Sequence, residues 1–100
     1  MAMTVGVARL GFYLEGTASL KDKRAIVRPV VDRVRGRFNV GIAEVEDLDD
    51  IRVATLAVVC VSNSAPHADE MLATVISFIE SRIDSGELRE IETELVPFGD

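Results

Sequence analysis

The segment Arg52-Val53-Ala54-Thr55-Leu56-Ala57-Val58-Val59-Cys60-Val61-Ser62-Asn63 decides the fold of this chain. Val53, Ala57, Val59 and Val61 fall on one side of an extended backbone, and Ala54, Leu56, Val58 and Cys60 on the other. A strand apolar on both faces belongs at the centre of a sheet, covered above and below. Upstream lies an acidic turn, Glu46-Asp47-Leu48-Asp49-Asp50, and before it a short strand over residues 39–46. Downstream, Ser64 precedes Pro66 as a helix cap, and Ala68, Met71, Leu72, Val75, Ile76, Ile79 and Ile83 recur at helical spacing until Ser85-Gly86. Residues 88–96 then alternate, with Ile91, Thr93 and Leu95 set against Glu90, Glu92 and Glu94, as in an edge strand with one wet face.

The N-terminal half repeats the pattern. Residues 4–14 form an apolar strand in which Arg9 is the only charge. Ser19-Leu20-Lys21-Asp22 fits a capping box, in which Ser19 takes the amide proton of Asp22 and the Asp22 carboxylate returns to Ser19 N–H. A helix follows to about residue 38, with Val27, Val30, Val31, Val34 and Phe38 on one stripe and Pro29 bending it midway. The order is βαββαβ, an α+β ferredoxin-like sandwich: one domain over residues 1–100, with two helices on one face of a four-stranded antiparallel sheet and the first and third strands central. Nothing remains to cover the other face of the third strand, so a second copy of the chain is expected there, making a homodimer through the open sheet face.

Charge is distributed unevenly. Lys21, Lys23, Arg24, Arg28, Arg33, Arg35 and Arg37 lie within residues 21–37, opposed there only by Asp22 and Asp32, for a local charge of +5. The rest of the chain carries four arginines and fifteen acids, or −11, and the whole chain −6. Lys21, Arg24, Arg28 and Arg35 share a narrow arc beside the apolar stripe, with Asp32 among them as an ion-pair partner at helical distance for Arg28 and Arg35. Such polarity favours one face that meets an anion. The longest apolar run, residues 56–61, is far below the ~20 residues a membrane span needs, and no signal peptide is visible, so cytoplasmic residence is expected.

No enzymatic machinery is expected. His67 is the only histidine, with no second ligand or orienting acid, and reads as a solvated side chain. Cys60, the only cysteine, sits in an apolar strand and excludes an internal disulfide. Asp47, Asp49 and Asp50 lack the glycine of a calcium loop, and no phosphate-cradling glycine motif occurs, so neither metal nor cofactor is expected. An acylphosphatase-like activity would need a glycine-rich phosphate loop where Glu15-Gly16-Thr17-Ala18-Ser19 stands. Val, Ala, Leu and Cys stand where RNA-recognition domains of this fold class carry the rings on which bases stack, and no Lys/Arg-Gly-Phe signature occurs. Any nucleic-acid contact therefore falls to the first helix and to phosphates.

The blocks Ser19-Leu20-Lys21-Asp22-Lys23-Arg24, Arg37-Phe38-Asn39-Val40 with Ala43-Glu44-Val45, Val61-Ser62-Asn63 and His67-Ala68 resemble the YlxP-like family, bacterial domain of unknown function 503. The resemblance covers nearly the whole chain. It implies a ferredoxin-like fold, a small cytoplasmic bacterial protein and no established catalytic activity. Gene neighbourhoods of that family, beside translation initiation and ribosome maturation factors, imply association with the ribosome. Ile51-Arg52-Val53 departs from the family's aromatic-Gln-Arg pattern at the entry to the third strand. The expectation is a non-catalytic ribosome- or RNA-associated accessory protein that grips the phosphates of ribosomal RNA through Lys21, Lys23, Arg24, Arg28 and Arg35. The alternative is a dimeric scaffold or regulatory module for a protein partner or small anion.

Overall fold

Alternation along the strands determines which side of the sheet is dry. In the computed structural model, which describes residues 2–83 and 85–99, the elements are β1 (Met3–Leu14), α1 (Leu20–Arg37), β2 (Gly41–Glu44), β3 (Val53–Ser62), α2 (Ala65–Arg82) and β4 (Gly86–Phe98). The strands form one antiparallel sheet in the order β2-β3-β1-β4, so β1 and β3 are central as expected. Their registers place Ala8 opposite Val58 and Leu10 opposite Leu56. These residues, with Phe12, Leu14, Ala54 and Cys60, are buried against the helix layer, where Val27, Val30, Val31 and Val34 of α1 meet Ala68, Leu72, Val75 and Ile79 of α2.

Both helix starts use their serines. Ser19 Oγ accepts from Asp22 N–H at 3.1 Å, and Ser64 Oγ accepts from His67 N–H at 3.3 Å. The return bond of the first box differs by one residue: Asp22 Oδ2 accepts from Ala18 N–H at 2.9 Å rather than from Ser19. α1 continues as one helix through Pro29. Between β2 and β3, the acidic turn holds Glu46 and Asp47 in the left-handed region, at φ of 52° and 46°.

β4 departs from expectation. Its pairing with β1 skips Arg89, because Gly11 faces Glu90 whereas Phe12 faces Leu88. Leu88 packs against the core, but Ile91 is 51% exposed and Leu95 is exposed as well, so both faces of this strand are wet. The helices fill the space above β1 and β3 and leave this stretch of the outer strand uncovered.

The face opposite the helices divides into two regions. At one end Met3, Val7, Val59, Val61 and Phe98 are exposed; Val7 pairs with Val59 and Met3 with Phe98, so they form one patch. At the other end Arg9 is held by Glu46 at 2.8 Å and by Glu92 across the strand pair. Those two carboxylates, Glu92 foremost, raise the guanidinium pKa above its usual value.

Candidate nucleic-acid interface

The basic residues of α1 separate according to their position around the helix. Lys21, Arg24, Arg28 and Arg35 lie on the flank facing β2, and all four are exposed. Arg24, Arg28 and Arg35 line a shallow groove of about 400 Å³ with Val27, Val31, Asp32 and Glu44. Arg35 is anchored there, its Nη2 donating to the carbonyl of Ile42 in β2 at 2.9 Å. Arg24 and Arg28 have no ion-pair or hydrogen-bond partner among the described residues, and the expected pairing of Asp32 with Arg28 or Arg35 does not form.

Lys23 corrects the expected site. It is 1% exposed and takes no part in any surface. Its Nζ donates to the carbonyls of Asp47 and Val53, each at 3.0 Å, and lies 2.8 Å from Glu44 Oε2. The Glu44 contact is one of charge against charge, without the directionality of a hydrogen bond, and the two carbonyls supply the directed contacts. The reason lies in helix geometry. Counting about 100° per residue from Lys21, Lys23 falls near 200°, between Val30 near 180° and Val34 near 220°. It occupies the apolar stripe, and its ammonium crosses the stripe to tie α1 to the turn before β3. In doing so it neutralises Glu44, leaving Asp32 as the one uncompensated carboxylate among the groove's lining residues.

A second cationic flank was not among the expected residues. Arg33 and Arg37, on the side of α1 facing α2, meet Arg82 around the Phe78 ring. Their i, i+4 spacing was visible in the sequence, but the arrival of Arg82 depends on how the helices pack.

The other sequence candidates do not converge. His67 is exposed and shares a shallow cavity with Phe38, Asn39, Val40 and Glu70, without a hydrogen bond from its ring among the described residues. Cys60 is buried, its thiol 3.7 Å from the Ala68 carbonyl. Among the described residues no three His, Cys, Asp or Glu side chains gather as a metal site, and no helix is long and apolar enough to cross a membrane.

Comparison with known proteins agrees with this architecture. Over 97% of its length the chain superposes on 86% of a de novo designed protein with ferredoxin fold, solved in solution by NMR, with a TM-score of 0.53 and 16% identity, which shows likeness of fold. It is 31% identical over 77 residues to the uncharacterized protein YlxP of Bacillus subtilis (strain 168), covering 77% of this chain and 84% of that protein. Residues 5–93 match the model of a protein family of unknown function, DUF503. The chain therefore belongs to the DUF503 family, the family that includes YlxP-like proteins.

Proposed function

We propose that this protein is a non-catalytic accessory protein that docks onto structured RNA, such as that of the ribosome, through the flank of α1 carrying Lys21, Arg24, Arg28 and Arg35. The observation that carries the reading is that Lys21, Arg24 and Arg28 stand exposed without carboxylate partners among the described residues, on a chain of net charge −6. From Lys21 to Arg35 the flank runs about 21 Å along the helix, enough to touch several phosphates of one duplex. The acidic remainder repels polyanions elsewhere and so orients the encounter. Lys23 is removed from the interface and assigned to the fold.

The test is a titration of structured ribosomal RNA at several salt concentrations. Each phosphate contact contributes about 0.7–0.9 to the slope of log K against log salt, so Lys21→Glu/Arg24→Glu/Arg28→Glu should flatten the slope by roughly 2 and weaken binding at low salt. Unchanged affinity in that variant refutes the reading.

A second reading, a dimeric scaffold for a protein partner, draws on the apolar end of the open face. Exposed Met3, Val7, Val59, Val61 and Phe98 form a surface complementary to itself, and a second copy packed on it would leave both α1 helices facing outward. Purification with and without nuclease separates the readings, because a protein partner persists where an RNA tether is lost.

A further inference from the structure

We infer that the C-terminal ends of α1 and α2 together form a second anion site, built from Arg33, Arg37 and Arg82 around Phe78, that takes a phosphate group. This site goes beyond the RNA-docking flank and stands whether or not that flank binds RNA. Phe38 and Phe78, both half-buried, pack edge to face with ring centroids 5.3 Å apart. The Arg37 guanidinium carbon lies 5.1 Å from the Phe78 centroid and 5.7 Å from that of Phe38, and the Arg82 carbon lies 4.8 Å from the Phe78 centroid. Two of the three cations are therefore positioned by aromatic rings seated in the helix layer, not by acids. A guanidinium held over a ring by its charge spends none of its N–H donors on that contact, so they stay free for an acceptor.

Those donors have no acceptor within the described part of the protein. No hydrogen bond or ion pair involves Arg33, Arg37 or Arg82 among the described residues, and no carboxylate lines the depression of about 280 Å³ they share. Helix termini explain part of this arrangement, since Arg37 and Arg82 sit in last turns, where a cation offsets the negative end of the helix dipole. They do not explain Arg33, which stands one turn earlier and repels Arg37 at i, i+4. Three guanidinium groups around one depression, without a counter-charge among the described residues, match the oxygens of a phosphate, which accepts paired N–H bonds from arginine. The phosphate can belong to a free phosphorylated molecule or to a nucleic-acid backbone; the recognition chemistry is the same.

The test follows the Nε–Hε NMR signals of the three arginines in the intact chain. Inorganic phosphate, adenosine 5′-monophosphate and a structured RNA are titrated separately. Saturable shifts of all three signals are expected with at least one of them. Movement with phosphate and the mononucleotide marks a small-molecule site, and movement with RNA alone marks a backbone contact. Arg33→Gln/Arg37→Gln/Arg82→Gln should weaken that binding by about tenfold or more. Arg37→Lys/Arg82→Lys, which keeps the charge and loses the planar fork, should recover only part of it. With inorganic phosphate and the mononucleotide as probes, Lys21→Glu/Arg24→Glu/Arg28→Glu should leave these shifts intact, so the site and the RNA-docking flank can fail independently. Absence of shifts with all three probes overturns the inference. So does undiminished binding by the glutamine variant, with circular dichroism confirming that it is folded.

Discussion

Replacing Lys23 with methionine gives the most direct check on the division between folding and binding residues. The substitution keeps most of the apolar stem and deletes the ammonium. Three contacts vanish: those to the carbonyls of Asp47 and Val53 at 3.0 Å each, and that to Glu44 at 2.8 Å. Hydrogen bonds to a charged group contribute about 1.5–3 kcal/mol each, offset in part because the ammonium no longer has to be dehydrated. Removing one partner from a buried ion pair costs about 3–5 kcal/mol. The Glu44 side chain remains 20% exposed and can regain some hydration, which places the loss near the low end, at ~3 kcal/mol. For a domain of this size that lowers Tm by roughly 12–24 °C. Urea unfolding and thermal melting both measure it, with Arg24→Met, at an exposed position, as a control expected to stay within about 0.5 kcal/mol of the parent. Adding Glu44→Gln should recover part of the loss, because it removes the stranded carboxylate. Well below its Tm, Lys23→Met should bind RNA as the parent does. A protein that melts unchanged but loses RNA affinity would refute the reasoning and return Lys23 to the interface.

Three further outcomes are expected. Gly86→Ala would set a Cβ 2.5 Å from Ile83 Cγ2 and 3.0 Å from Leu14 Cδ2, an overpacking that should cost about 1–3 kcal/mol in urea unfolding. Ser19→Ala removes the acceptor for Asp22 N–H and should lower stability by ~1 kcal/mol, with a matching loss of amide protection in the first turn of α1. Val59→Lys/Val61→Lys places two charges in the apolar end of the open face; if a second copy packs there, sedimentation should shift from dimer to monomer with little change in Tm.

The fold was legible because local patterns agreed with one another. The doubly apolar run of β3, the valine stripe of α1 and the two serine caps each specify an element, and the order of the elements then specifies the sheet. The site was less legible, for reasons specific to each residue. Lys23 groups with its basic neighbours by residue type, although its position on the helix already sets it among the valines. Arg82 is separated from Arg33 and Arg37 by more than forty residues, and only helix packing brings them to one ring. The exposure of Ile91 and Leu95 depends on how far the helix layer extends, which alternation within β4 does not encode. The skipped residue at Arg89 likewise has no sequence marker.

Glu46 and Asp47 are consecutive, and their side chains share the open face while the Asp47 carbonyl reaches through to the helix side. Glu46 grips Arg9 on the open face, while the Asp47 carbonyl receives Lys23 from beneath α1. Both residues adopt a backbone conformation that costs free energy outside glycine, and it is retained because each is tethered. The turn therefore works as a rivet through the sandwich: loosening it on one side frees the strained backbone and releases the other. Hydrogen exchange at residues 46–53 should consequently rise across the whole turn when either tether, Arg9 to Glu46 or Lys23 to the Asp47 carbonyl, is removed.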